Sequence, residues 1–565
     1  MAPIDSPPAE PPVGTPAEPG AGAPSLSRRA LLRLAGAAAL TLPAAGVLAA
    51  AQPKTSVRAL TPLARQPAWA GADPFTLGVA SGAPRADGFV LWTRLAPDPL
   101  NPELAGGLAG GTATGNREIG YEIAADPSFQ RIAQRGKALA ESAFAHSVHL
   151  DVRGLEPARP YWYRFFAGPW ASPAGRAVTA PAAGSPIAGV RFGYCSCSNY
   201  EQGYFAAYRH LAEESPDLVM FLGDYIYESV DRSTGVVRHH SDGVAATNLA
   251  LYRNRYAQYR LDPDLQRLHA SAPSLVTWDD HEVQNDYASV WSEDLIPPAE
   301  FLKRRTAAYQ AFYEHMPLSP ALSKPAGDAM RIYGSLDWGS LLRICLLDGR
   351  QYRSRGACYG PGKGGGHVET LQSCPELSDP ARSLLGEEQE RWLYDALATS
   401  PARWNLIAQD VLMARVQSTR KDGSHGLWTE AWDGYPEARK RLLTHLRDGR
   451  IANPVVIGGD NHAFWANDLK PDFDDLKAPA VATEFIGGSI TSHGPDYATT
   501  MKLIAGNPHV RFFESRKRGY AIADLTPERM ETRFQVVTDA ADPDAGKETL
   551  ARFVTESGKA GAIVA

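Results

Sequence analysis

Cysteine is scarce in this 565-residue chain: five residues, too few to frame a fold with disulfides. An excess of one charge sign is missing too. Lysine and arginine number 57 against 63 aspartate and glutamate, a net charge of −6. That balance leaves no electrostatic footprint for nucleic acid, so no nucleic-acid partner is expected. An anionic substrate would need a local device such as metal ions. The bulk of the chain lacks the long apolar runs of a multi-span membrane protein, and there is no internal repeat. What is present is globular: 44% hydrophobic and 21% charged residues exclude a disordered or collagen-like chain. At about 150 residues per domain the length suggests three or four units, or fewer around one large α/β domain.

The first fifty residues do not read as fold. Residues 1–26 are rich in Pro, Ala, Gly and Ser, with little to build a core. Ser27-Arg28-Arg29-Ala30-Leu31-Leu32 then opens an Ala/Leu-rich run to Ala51. Paired arginines before a mildly apolar stretch predict a twin-arginine export signal. Small residues at Ala49 and Ala51 place its cleavage after Ala51, making 1–51 signal peptide and leader. A membrane anchor is the competing reading, but Arg33 and Pro43 interrupt the run. The export machinery is thus an expected partner, and the location periplasmic or secreted.

Residues 74–180 hold short strand-like runs such as FTLGVASG, GFVLWTRL and YWYRFFAG, bounded by turn formers. They predict an N-terminal β-sandwich of fibronectin or immunoglobulin type. TAPAAGSP at 179–186 reads as a linker. From there to residue 537, apolar runs alternate with helix-compatible segments, predicting an α/β or α+β domain over 187–537. Residues 354–378 read as a loop and 538–565 as a polar tail or lid. Cys358 and Cys374 share that loop, and export predicts a disulfide between them.

Chemistry gathers where apolar runs end. VRFGYCSC closes on Cys195 and Cys197. LVMFLGDYIYE places Asp224 after a run, with Tyr227 three residues on. SLVTWDDHEVQND ends on Asp279, Asp280 and His281, then Asn285. LLRICLLDGRQYR supplies Asp348 and Arg350, and PVVIGGDNH supplies Asp460 and His462. Sites in open α/β sheets form beyond the carboxyl ends of strands, so five runs of one polarity predict one shared site. Carboxylate and amide oxygens suit hard cations, and imidazole suits zinc or iron. A Cys197 thiolate and a Tyr227 phenolate would favour Fe³⁺. Two such ions form an arrangement that clamps a phosphoryl group. Cys195 and Cys345 read as buried thiols, and adjacent His239 and His240 as solvent-exposed loop residues.

These residues resemble the PhoD-type alkaline phosphatases, within the metallophosphoesterase group that includes purple acid phosphatases. The likeness runs through SCSNYEQGYFAAYRHLAEE, FLGDYIYE, YRNRYAQYRLDPDLQ, TWDDHEV, LDGRQYR, AWDGYPEARKRLL, GGDNHAFWANDL and EFIGGSIT, in that order over residues 74–537. It implies a four-layer α/β/β/α phosphoesterase core behind the β-sandwich, and a site with one Fe³⁺ and one or more Ca²⁺; Zn²⁺ or Mn²⁺ is the alternative load. It assigns Cys197, Asp224 and Tyr227 to iron, with Asp224 bridging to calcium. Asn285, Asp460 and His462 complete the metal set. Asp280 is the alternative to Asn285, and His281 contacts substrate or protonates the leaving group. Arg350 and Arg353 would meet transition-state charge. Three departures stand out: CSCSN adds Cys195, GGDNH replaces a commoner GDVH, and QND follows HEV where paired asparagines are expected.

The expected protein is therefore an exported, monomeric, metal-dependent hydrolase that releases phosphate from small phosphomonoesters. Hydrolysis of phosphodiesters, including phospholipid head groups in the manner of a phospholipase, is the alternative. A non-catalytic calcium-binding surface protein is the third reading.

Overall fold

The computed structural model describes residues 71–101 and 115–565, apart from positions 234, 361, 363, 421 and 422. The expected signal segment 1–51 lies outside the described residues. Eight strands come first: β1 (Val79–Arg85), β2 (Gly88–Arg94), β3 (Arg117–Ala124), β4 (Ile132–Ala140), β5 (Ser147–Val152), β6 (Pro160–Ala167), β7 (Trp170–Ala171) and β8 (Gly175–Val178). An alternating stretch follows: β9 (Val190–Cys195), α1 (Ala206–Glu213), β10 (Leu218–Leu222), α2 (Leu249–Arg260), α3 (Pro263–Ser271), β11 (Pro273–Thr277), α4 (Pro298–His315) and α5 (Pro320–Ser323). Next come β12 (Gly334–Trp338), β13 (Leu342–Leu346), β14 (Val368–Glu369), α6 (Glu387–Ala398), β15 (Trp404–Ala408), β16 (Ser418–Thr419), β17 (His425–Trp428) and α7 (Pro436–Asp448). The chain closes with β18 (Pro454–Gly458), β19 (Phe464–Leu469), β20 (Ala482–Gly487), α8 (Tyr497–Ile504), β21 (Val510–Glu514), β22 (Gly519–Leu525), β23 (Arg529–Val537), β24 (Lys547–Glu556) and β25 (Ile563–Val564).

Two large sheets pack face to face. One has ten strands in the order β25-β24-β23-β22-β9-β10-β11-β1-β2-β5, the other seven in the order β12-β13-β15-β18-β20-β19-β21. Each has a parallel centre with antiparallel flanks: β9, β10, β11 and β1 in the first, β13, β15, β18 and β20 in the second. Strands buried on both faces must be apolar throughout, and LVMFL of β10, WNLIA of β15 and PVVIG of β18 are buried at every position. Phe192, Met220, Leu222, Leu406, Ile457 and Phe485 fill the space between the sheets. Helices α1 to α4 cover the outer face of the ten-stranded sheet through Leu211, Tyr256, Leu265 and Phe312. Helices α6 and α7 cover the outer face of the other through Leu393, Leu397, Leu442 and Leu446. The result is the expected α/β/β/α stack.

The 74–180 segment does pack as two sheets, around Phe89, Leu91, Ile123, Tyr163 and Phe165. Its β1, β2 and β5, however, continue the ten-stranded sheet, because β1 pairs in parallel with β11 through Ser81–Pro273 and Gly82–Ser274. Gly82 is required there: a Cβ would sit 2.3 Å from the Pro317 carbonyl oxygen. The expected tail or lid is also corrected. Residues 547–556 form β24, paired along β23 from Arg529–Glu556 to Val537–Lys547, and its buried Phe553 packs into the inter-sheet core. Alternate polar and apolar residues hid that strand in a polar composition. Among the described residues no helix is long and apolar enough to cross a membrane.

Candidate active site

The parallel strands of both sheets end at a common mouth. Cys197 lies just past β9, Asp224 past β10, Asp279 to His281 past β11, Arg350 past β13, Asp410 past β15, and Asp460 and His462 past β18. The backbone turns sharply to present them. Cys197, Asp224, Asp286, Asp460 and His462 all adopt left-handed φ, of 59°, 51°, 54°, 62° and 52°. Such a conformation costs on the order of 1–3 kcal/mol per residue and collects at functional sites. Gly223, at φ 92°, lets the β10 and β11 loops touch: a Cβ there would lie 2.4 Å from Cβ of Asp279.

Three groups of donors overlap into a row: Cys197, Asp224 and His462; Asp224, Asp280 and His281; Asp280, Asp286 and Glu430. Within each group the ligand atoms lie within 4.8 Å of one another. Asp224 and Asp280 are the shared members. Tyr227 joins the first group, its hydroxyl donating to Asp224 Oδ2 at 2.9 Å and lying 3.0 Å from Nε2 of His462. Burial and the Asp224 carboxylate hold the Tyr227 phenol well above its ordinary pKa; burial, with Asp224, Asp460 and Asp279, does the same to the Cys197 thiol. Both groups need a nearby cation to become anionic donors. Burial and Glu430 likewise push Asp286 up to about 7. The Oδ1 atom of Asp280 is buried with no hydrogen-bond partner among the described residues. An orphaned buried carboxylate oxygen within overlapping donor groups fits a cation. Soft sulfur and phenolic oxygen at one end suit a transition ion, and carboxylates alone at the other suit a hard one. Cys358, Cys374 and Glu376 also cluster, but the two cysteines form the expected disulfide and are not ligands.

Other groups position this row. Glu282 accepts the backbone N–H of Asp224 at 3.1 Å, Tyr225 at 2.6 Å and Asp279 at 2.9 Å, tying the two loops together. Glu228 holds Nδ1 of His281 at 2.6 Å and accepts the N–H of Asn285 at 3.0 Å. Burial alone would lower the His281 pKa, but Glu228, Asp224 and Asp280 hold it well above its ordinary value. The ring rests on Tyr227, centroids 4.1 Å apart, and its Nε2 makes no hydrogen bond among the described residues.

Arg350 and Arg353 are both engaged with carboxylates. Arg350 is fully buried and pairs with Asp279 at 2.5 Å, with Glu430, and with Asp280, Asp410 and Asp460 at 3.6, 3.7 and 4.0 Å. Arg353, also buried, donates to Glu430 Oε1 at 2.9 Å and to the Gly349 carbonyl oxygen. Loops of the seven-stranded sheet thus aim both guanidiniums at carboxylates of the row and beside it. Asn285 lies beside the row, its amide donating to Glu293 at 3.0 Å. Asp348 serves its own turn, accepting from Trp278, Arg350 and Gln351. His239 is exposed as expected, but His240 is buried 3.2 Å from Glu201, and burial with Arg255 pushes it down to about 2. Cys195 and Cys345 are buried thiols.

Sequence reasoning missed Asp286, Glu430, Asp410, Glu228 and Glu282. Asp410 closes the apolar run WNLIAQD and carried the same signal as the five runs used. Glu228 and Glu282 lie inside FLGDYIYE and TWDDHEV. Glu430 lies in a loop and had no signal.

Two packed mixed sheets under helices bring cation-type donors together at their strand ends, an arrangement able to hold metal ions. The comparisons narrow this. The family model for the PhoD-like phosphatase matches residues 192–534, and that for the PhoD-like phosphatase N-terminal domain matches 62–181. Alkaline phosphatase D of Bacillus subtilis (strain 168) is 41% identical over 496 residues, covering 86% of this chain and 82% of that protein. A solved structure of PhoD superposes with a TM-score of 0.82 at 40% identity, covering 88% of this chain and 93% of that one. The chain belongs to the PhoD-like phosphatase family.

Proposed function

We propose that this chain is an exported alkaline phosphatase that releases inorganic phosphate from phosphomonoesters, with Fe³⁺ and Ca²⁺ in its donor row. The overlap of donor groups through Asp224 and Asp280 carries this reading. Iron would be held by Cys197, Asp224, Tyr227 and His462, and calcium by Asp224, Asp280 and the carboxylates beyond, with Asn285 and Asp460 at the margins. Bound there, the cations would neutralise phosphoryl oxygens and activate water for in-line attack.

The chain's own groups do the rest. Glu228 fixes the His281 ring through Nδ1 and leaves Nε2 to hand a proton to the departing alkoxide. Glu282 and the Arg350 ion pairs hold the carboxylates against their mutual repulsion, so the geometry exists before substrate arrives. Arg28 and Arg29 support the export reading, with the mature chain starting after Ala51. Within it, 74–180 and 187–537 are the proposed β-rich and catalytic regions.

The test is elemental analysis of protein purified from the periplasm without chelator, with phosphate release assayed on mono- and diesters. About one iron per chain with calcium in excess, and turnover of monoesters, is the expected result. Phenolate ligation by Tyr227 also predicts a visible absorption band that Tyr227→Phe removes. Zinc or manganese without iron would overturn the ion assignment, and turnover of diesters alone would overturn the substrate class.

A further inference from the structure

Beside the donor row the loop after Arg353 builds a small aromatic cage. The Arg355 guanidinium lies 4.9 Å from the Trp291 ring centroid and 5.0 Å from that of Tyr359. Tyr359 is itself fixed. Its ring fills the space above two glycines, where a Cβ on Gly356 would lie 2.1 Å and one on Gly364 3.1 Å from it. The same arch grips the row: Gly364 donates to the Glu293 carbonyl oxygen at 2.6 Å and Gly366 to Asp286 Oδ2 at 2.7 Å. The Cys358–Cys374 disulfide pins the arch next to Tyr359. Trp428, 45% exposed, packs over Gly366.

Arg355 is exposed, and among the described residues no carboxylate lies within ion-pair distance of it. That is unusual beside so acidic a row, whose charge is answered by the buried Arg350 and Arg353 instead. Held over two rings, the guanidinium carries a planar N–H fork, which matches a carboxylate or phosphate in two-pronged fashion. We propose that Arg355, caged by Trp291 and Tyr359, is the leaving-group subsite and selects phosphate esters whose leaving group carries a second anionic group. This rests on the phosphatase reading. Arg355 binds the part of the substrate that departs, and Arg350 and Arg353 keep the row in place.

The test compares phenyl phosphate, 4-carboxyphenyl phosphate and hydroquinone bisphosphate with the metal-loaded full chain and its Arg355→Gln and Arg355→Lys variants. In Arg355→Gln, kcat/KM for the two doubly anionic esters should fall at least about tenfold more than for phenyl phosphate, mainly through KM. Arg355→Lys should restore part of it, since the charge remains and the planar fork does not. Loss on both anionic esters identifies a general anion subsite; loss on the bisphosphate alone identifies a phosphate subsite. Equal loss on all three esters, or no loss on any, overturns the proposal while the phosphatase reading stands. Absence of turnover by the unmodified chain on every ester would overturn that reading, and the subsite with it.

Discussion

The ten-stranded sheet sends Cys197, Asp224 and Asp280 to the mouth, whereas the seven-stranded sheet sends Arg350, Asp410, Asp460 and His462. Both sheets share a parallel centre and a common direction and both supply donors, but only the second supplies a cation of its own. From the first come most of the donors, joined by His462 of the second, and left-handed backbones occur on both. From the second comes a buried cation that gathers five carboxylates. The shared donor Asp224 is arranged to bind and Arg350 to make the binding arrangement tolerable, and substitutions at each should fail in different ways.

The largest effect belongs to the shared donor. Asp224→Asn should lower kcat/KM by on the order of 10³. Its melting temperature should stay near that of the unmodified chain once both are freed of metal, and a matched fall in melting temperature would make the residue structural. Arg350→Met should do the reverse on the opposite sheet. Taking one partner from a buried network costs about 3–5 kcal/mol, read as a shift in the denaturant midpoint. An unshifted midpoint would dissolve the contrast between the sheets. His281→Asn should cost about 10²–10⁴ in rate, and more for alkyl than for nitrophenyl leaving groups, because only the former need the proton. Equal losses on both would remove the acid role. The smallest effect lies outside both sheets. Replacing Cys358 and Cys374 together by serine should cost about 3 kcal/mol or less by the chain-entropy estimate. A midpoint shift as large as that of Arg350→Met would mean that the loop is part of the core.

How much of this was legible depends on range. Runs such as LVMFL and PVVIG announce buried strands because no position can be polar, and the residue after each run announces itself by contrast. Hence the buried strands and the shared mouth are legible in the runs, whereas the four layers and the grouping of Asp224 with His462 are what the resemblance to the PhoD-type phosphatases implies. Glu430 could not: it reaches Arg350 through folding of a loop, with no local periodicity to betray it. The inward turn of Arg350 was hidden for the same reason, since its partners lie 60 to 110 residues away, roughly, along the chain. Strand β24 was missed because a half-exposed strand on a sheet margin has the composition of a tail.

Strand β9 ends in the segment that presents Cys197, and one of its two neighbours in the sheet is β22, with Arg191 bonded to Asp524 across 333 residues of sequence. At the 5–20 residues per second of ribosomal synthesis, that neighbour arrives roughly 20 to 60 seconds after β9. Through this interval the Cys197 strand has an open edge and no finished ligand set beside it. Any cation held by the finished row would therefore be captured after synthesis, from the pool of ions that meets the newly completed chain wherever folding finishes.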